Sequence, residues 1–274
     1  MTVLGAIDGW GASFAAAAVV RGSSPVATHG DGSRVVRVAS ITKLLTAWAA
    51  LIAVEEGATT LDTPLGPPGS TVRHLLAHAG GYGFDSDAVL AAPGTRRIYS
   101  NTGYELLARH IGDATGFEFA DYMAEAVLAP LGMGSSELRG SAARDMWSDV
   151  EDLLRFAAET RAPTLLHPST VATALAPAFA ELDGVLPGWG TQRRCWWGLG
   201  PELKGDKDPH WSGSTASPST YGHFGGSGTF LWVDPEADLT CVVLTDREFG
   251  DWAVRAWPGF SDRVRSTYSA APPG

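Results

Sequence analysis

The chain has 274 residues, with 20 lysines and arginines against 30 aspartates and glutamates, a net charge of −10. That length is enough for one large domain with a substantial core, or for two intimately packed ones. The acidic balance argues against a nucleic-acid surface, since Arg96-Arg97 and Arg193-Arg194 are pairs rather than patches.

In chain order, the apolar run Ala12 to Val20 closes at Arg21-Gly22-Ser23-Ser24-Pro25, and Val26 to Gly30 follows. This predicts two strands joined by a turn. No basic segment precedes the apolar stretch and no segment reaches membrane-spanning length, so a cytoplasmic protein with no membrane partner is expected.

The extended stretch Ser33 to Ala39 gives way to the helical run Leu44 to Val54, which ends at Glu55-Glu56-Gly57 with Gly57 as the C′ residue. Ser40 and Lys43 open this helix. Three residues apart, they share one face. Ser40 gains the free N–H groups and positive dipole end of the helix start. Lys43 sits among Leu44, Leu45, Ala47, Trp48 and Leu51, where desolvation disfavours its charge. A nucleophile, a proton acceptor and a place for an oxyanion are thus together. Ser-x-x-Lys also arises by chance as a helix cap followed by a solvated lysine. Here, however, Lys43, Lys204 and Lys207 are the only lysines of a chain otherwise built on arginine. A buried lysine can lose its proton and an arginine cannot.

Ser70 to His78 reads as a short capped helix. His74 and His78 have a spacing that can chelate zinc, but no glutamate follows His74, and structural histidines with no metal are expected. Arg97-Ile98-Tyr99-Ser100-Asn101 ends an extended segment before the amphipathic helix Asn101 to Ala114. Tyr99 is readable as a proton shuttle and Asn101 as a donor to a substrate carbonyl; alternatively, Tyr99 is half-buried and Asn101 an N-cap. Phe117 to Leu128 continues helical as far as Pro130. Ser148 to Thr160 opens with a Ser-x-x-Glu capping box.

Past about residue 185, Gly, Trp, Ser and Pro dominate from Pro187 to Thr220. The glycine-rich segment Tyr221 to Gly228 holds His223, Phe224, Gly225 and Gly226, and its glycines permit close backbone approach to a substrate. Thr229 excludes Gly-x-Ser-x-Gly. The strand patterns Gly228 to Pro235 and Leu239 to Thr245 form a hairpin through Asp234 to Asp238. A final helix, Asp251 to Tyr268, is expected to break at Pro258. Trp189, Trp196, Trp197 and Trp211 are core residues or an aromatic wall, with Trp189 or Trp211 as the wall. Cys195 and Cys241, with no Cys-x-x-Cys spacing, read as free thiols.

Strands at both ends around a helical middle predict an α+β protein: an antiparallel β-sheet flanked by helices with an all-helical insertion. The expected division is residues 1–43 and 165–274 for the sheet domain and 44–164 for the helical subdomain, with the active site in the cleft between them.

Taken jointly and in order, these motifs resemble serine hydrolases of the class C β-lactamase and penicillin-binding-protein type, which include D,D-peptidases, esterases and transacylases. Val38-Ala39-Ser40-Ile41-Thr42-Lys43 matches the nucleophile motif and Tyr99-Ser100-Asn101 the Tyr-x-Asn motif. His223-Phe224-Gly225 stands where the family has Lys-Thr-Gly or His-Thr-Gly, and Val72 to Gly81 resembles the structural segment ending in His-x-Ser-Gly. The resemblance implies attack by Ser40, with Lys43 and Tyr99 as a coupled proton-transfer pair. It also implies an oxyanion hole of the Ser40 and Gly226 N–H groups, and substrate binding by Asn101, His223, Phe224 and Gly225. No cofactor is implied.

Three departures stand out. His223 replaces the lysine that pairs with a substrate carboxylate, Phe224 replaces a hydroxyl residue, and Gly80 replaces a serine. Efficient β-lactamase or D,D-peptidase activity is therefore not expected. The reading is an esterase or amidase acting on a small ester, amide or lactam. The alternatives are an acyltransferase to a small metabolite, weak β-lactamase or D,D-peptidase activity, and a catalytically idle binding domain. Oligomeric state is left open.

Overall fold

The computed structural model describes residues 2–269. Its main sheet has six antiparallel strands: β1 (Ala15–Arg21), β2 (Ser24–His29), β10 (Glu202–Leu203), β11 (Tyr221–Gly225), β12 (Thr229–Asp234) and β13 (Leu239–Thr245). Their spatial order is β10-β11-β12-β13-β1-β2. β1 and β13 pair from Ala15 opposite Thr245 to Arg21 opposite Leu239, so the first and last strands of the chain lie side by side.

The apolar residues of β12 and β13 serve two cores. Phe230, Trp232, Cys241 and Val243 join one cluster, with Trp257, Phe260 and Val264 of the C-terminal helix. Leu231, Val233, Val242 and Leu244 face the other way, into a cluster with the helices of the chain's middle. Side chains alternate across a strand, so a sheet covered on both faces reads as an unbroken apolar run, as these two strands do.

The helices are α1 (Thr42–Glu55), α2 (Val72–Leu76), α3 (Asn101–Thr115), α4 (Phe119–Met123), α5 (Val150–Arg161), α6 (Pro168–Ala174) and α7 (Asp251–Tyr268). Twelve of the fourteen residues of α1 are buried, which makes it the central post of the molecule. A helix apolar all round belongs inside a core. Its interior threonines are satisfied: Thr46 Oγ1 donates to the Ala142 carbonyl at 2.6 Å, and Thr42 Oγ1 accepts from the Met146 N–H at 3.0 Å. A small sheet joins β3 (Val36–Arg37), β6 (Glu137–Leu138) and β7 (Met146–Ser148). Two hairpins, β4 (Tyr82–Gly83) with β5 (Ser86–Val89) and β8 (Gly184–Leu186) with β9 (Gly190–Gln192), complete the strands.

Several local expectations are corrected. Ser148 ends β7, and Asp149 caps α5 instead, accepting from the Asp152 N–H at 2.9 Å. Ser100, not Asn101, caps α3, accepting from the Gly103 N–H at 3.1 Å. The helix from Phe117 starts at Phe119 and widens into a π-turn over Ala124–Leu128. α7 runs unbroken through Pro258. An interior proline costs about 3 kcal/mol, whereas burying Trp257 and Phe260 on the same helix returns about 1.5–3 kcal/mol per large side chain. No helix among the described residues is long and apolar enough to cross a membrane.

Candidate active site

Ser40 lies in a 3₁₀ turn, Ala39–Ile41, that leads into α1. Ala39 before it has φ 47°, a left-handed conformation that costs a non-glycine residue about 1–2 kcal/mol. The surroundings hold it there. Thr42 Oγ1 donates to the Ala39 carbonyl. Thr229 Oγ1 donates to the Val38 carbonyl at 2.9 Å, and Ser227 Oγ to the Arg37 carbonyl at 2.7 Å. At Gly225 any Cβ would stand 2.2 Å from the Val38 oxygen, so only glycine lets β11 come this close to the Ser40 turn. At Gly226, one residue on, a Cβ would meet nothing within 4 Å.

The Lys43 side chain is fully buried. Its Nζ lies 2.6 Å from Asn101 Oδ1, 2.8 Å from the Ala143 carbonyl oxygen and 3.4 Å from Ser40 Oγ. Burial holds its pKa well below the usual lysine value and the charge of Arg144 adds to that, while Asp85 and Glu105 oppose it. A neutral amine has two N–H donors and one lone pair. Two carbonyl-type oxygens take the donors, and the lone pair is left for the Ser40 hydroxyl. The Asn101 amide is oriented by its other end, where Nδ2 donates to Asp85 Oδ1 at 2.9 Å; a carboxylate only accepts. Arg144 in turn donates to both oxygens of Asp85, at 3.1 and 3.2 Å.

Tyr99 is half-buried, its ring centroid 4.6 Å from Lys43 Nζ and 4.4 Å from the His78 ring. Burial pushes its phenol well above the usual tyrosine pKa, opposed in part by a hydrogen bond with Ser40. Arg97 pins the segment that carries it. Its guanidinium donates to the carbonyls of Cys195 at 2.9 Å, Ala178 at 2.7 Å, Phe179 at 3.1 Å, and Ala77. Gly184 passes so close that a Cβ there would lie 2.7 Å from Arg97 Cβ.

His223, on β11, is buried, with Nε2 3.4 Å from the Tyr99 hydroxyl. Nδ1 donates to the Phe224 carbonyl at 2.6 Å, which leaves Nε2 as the acceptor. Burial is the first cause that lowers its pKa, to about 3, so the ring is neutral near pH 7.

Ser40, Tyr99, His223, Phe224 and Gly226 line one cavity of about 160 Å³, together with Phe84, Leu186, Pro187, Trp197, Glu202 and Phe249. A larger surface hollow of about 540 Å³ beside Glu56, Phe117 and Tyr122 is lined by no serine, cysteine or lysine. Asn101 does not line the cavity, because its amide is engaged by Lys43 and Asp85. Gly225 packs against Val38 instead.

The expected aromatic wall is also corrected. Trp189 and Trp211 stand behind Phe224, each with its ring 5.9 Å from it. Trp211 directs its N–H to Glu202 Oε2 at 2.8 Å. Trp197 is the tryptophan that lines the cavity. Among the lining residues that the sequence did not mark, Glu202 is the charged one. It is buried, and its Oε1 accepts from Lys207 at 2.6 Å and His210 at 3.1 Å. Burial would raise its pKa, but Lys207 and His210 outweigh that and hold it well below the usual carboxylate range. No local pattern could have found Glu202, Asp85 or Arg144, whose partners are elsewhere in the chain. The two histidines that could have chelated zinc part ways: His74 pairs with Thr71 at 2.9 Å, while His78 lies beyond the end of α2 beneath Tyr99.

Known proteins share this arrangement of elements. A beta-lactamase from Mycobacterium bovis is 51% identical, superposes with a TM-score of 0.96, and the match covers 98% of this chain and 100% of that one. The simvastatin synthase LovD from Aspergillus terreus shares the fold at 17% identity and a TM-score of 0.76, over 97% of each chain. The D-alanyl-D-alanine-carboxypeptidase/endopeptidase AmpH of Escherichia coli is 30% identical over a stretch covering 36% of this chain and 35% of AmpH. The family model described as Beta-lactamase matches residues 10–261, from the 3₁₀ turn before β1 into α7, and with that span this chain belongs to the beta-lactamase family, whose members are of the serine-hydrolase type.

Proposed function

We propose that the chain is an esterase or amidase that forms an acyl-enzyme on Ser40 from small, uncharged acyl substrates. The observation that carries this reading is Lys43 Nζ, 2.6 and 2.8 Å from two carbonyl oxygens, of Asn101 and Ala143, and 3.4 Å from Ser40 Oγ; once the two oxygens take the donors of a neutral amine, its lone pair is free for the serine proton. Ser40 Oγ attacks the substrate carbonyl carbon as its proton passes to Lys43. The N–H groups of Ser40 and Gly226 stabilise the oxyanion. As the bond to the leaving oxygen or nitrogen breaks, that atom takes the phenol proton of Tyr99. The lysine is now cationic and the tyrosine anionic, and each stabilises the other's charge. A water then attacks the acyl group and gives a proton to Tyr99, while Lys43 returns its own to Ser40 as the acid departs. The two groups titrate as a coupled pair.

The M. bovis neighbour is named a beta-lactamase, but the cavity of this chain favours an ester. A β-lactam presents a carboxylate, and the cavity lining includes neither lysine nor arginine toward it. His223 is neutral near pH 7, Phe224 is apolar, and Glu202 is anionic. Penicillin-type rings are therefore expected to acylate Ser40 slowly.

Intact mass after incubation with p-nitrophenyl acetate and with a penicillin tests the reading. The expected outcome is an acetyl adduct that forms fast and turns over, and a slow penicilloyl adduct. Both are absent in Ser40→Ala, whose kcat/KM falls by roughly 10³-fold or more. Full turnover by Ser40→Ala refutes the proposal.

A further inference from the structure

Five large apolar side chains stand exposed among the described residues, and four of them, Phe84, Val89, Leu90 and Val185, belong to the two hairpins beside the cavity. A lone exposed apolar side chain needs no explanation, whereas a cluster does. Phe84 and Leu90 from one hairpin and Val185 and Pro187 from the other wall a groove of about 320 Å³, with Arg96, Arg97, Ile98 and Tyr99 along its length; Arg97 is engaged by backbone carbonyls and Arg96 is exposed. It is continuous with the inner cavity, because Phe84, Tyr99 and Pro187 line both.

The two compartments differ in which reacting groups they present. Ser40 and Gly226 line the inner cavity and not the groove, whereas Tyr99 lines both. An acyl carbon bonded to Ser40, with its oxygen at Gly226, keeps the acyl group in the inner cavity. The leaving oxygen must face Tyr99 to take its proton, which directs the rest of the leaving group along the groove. We infer that the groove between the β4–β5 and β8–β9 hairpins is the leaving-group subsite, whose apolar walls Phe84, Leu90, Val185 and Pro187 suit an extended apolar alcohol. The inner cavity then limits the acyl group: about 160 Å³ is close to the engineered cavity of about 150 Å³ that takes one benzene. This assignment rests on the acyl-serine reading above and adds a polarity to it, with a short acyl group inside and a long alcohol outside.

Octyl acetate and ethyl octanoate test it, since they contain the same atoms and differ only in which side of the ester carries the chain. The wild-type protein is expected to favour octyl acetate by about tenfold or more in kcat/KM, the scale on which apolar pockets discriminate. In the double variant Leu90→Asp, Val185→Asp the ratio of octyl to ethyl acetate is expected to fall by about tenfold or more. Both positions are exposed, and circular dichroism confirms that the variant is folded. Equal or faster turnover of ethyl octanoate, or an unchanged ratio in the folded variant, overturns the subsite while leaving acyl-serine chemistry intact. A wild-type Ser40 that no ester acylates overturns both.

Discussion

Lys43 is surrounded by groups that set its proton affinity from different elements, and Arg144 is the one whose removal gives the clearest reading. It sits behind Asp85, which orients Asn101, which in turn holds the amine. Its positive charge disfavours a second one on Lys43. Replacing it by glutamine takes that charge away and leaves the carboxylate of Asp85 unneutralised. Both changes favour the ammonium, so the pKa of Lys43 rises. The acid limb of kcat/KM against pH is then expected to move to higher pH in Arg144→Gln, with a smaller effect on the plateau. A profile shifted to lower pH, or not at all, would mean that Arg144 does not reach Lys43 electrostatically. Ser40, Lys43 and Tyr99 could be picked out as candidates from the sequence because helix position and spacing are local properties, and the fold brings the three together. Arg144 and Asp85 were silent because each matters only through a partner brought in by folding.

Pro258 and the continuous helix around it are a second test, at the level of the element. α7 is held by Ala253, Trp257, Phe260 and Val264 along its buried face. Burial keeps the helix regular through a residue that contributes no N–H. Pro258→Ala would supply that N–H and remove the ring, returning up to about 3 kcal/mol. It would also loosen the unfolded chain, at a cost of about 0.4–1 kcal/mol. The larger effect wins, so Tm is expected to rise by several degrees, at very roughly 2–4 °C per kcal/mol for a domain of this order. A lower Tm in calorimetry would show that the proline ring itself contributes to packing. The same tertiary override explains why a break was expected from sequence and not observed. Capping shifted for a similar reason: Ser148 was the stronger local signal, but pairing of β7 with β3 absorbed it, and Asp149 took the cap.

For the whole molecule, burial of ionisable groups ties stability to pH. All three lysines are buried, at 0, 5 and 3% exposure for Lys43, Lys204 and Lys207, so the basic surface is arginine alone. His210 and His223 are buried as well, and desolvation is the first cause that lowers their pKa values, to about 4 and about 3. Unfolded, both titrate near 6.5. Between those limits the unfolded chain binds more protons than the folded one, so stability rises with pH there. It is complete above pH 6.5 and is lost progressively as pH falls toward 4 and then 3. Urea midpoints are expected to be lower at pH 5 than at pH 7.5, and His223→Gln should flatten the difference. A midpoint that did not move would mean that these rings charge freely in the native state.

The sequence by itself determined the α+β class, the central apolar helix and the β12–β13 hairpin, and it named Ser40, Lys43 and Tyr99 as the candidate reacting residues. Periodicity, glycine placement and i to i+3 spacing are short-range facts that survive without a fold. Only the tertiary structure decided which tryptophan lines the cavity, which carboxylate lies beside it and which way the Asn101 amide faces. Those depend on segments well over a hundred residues apart meeting in one place, where apolar enclosure lowers the proton affinity of an ordinary lysine.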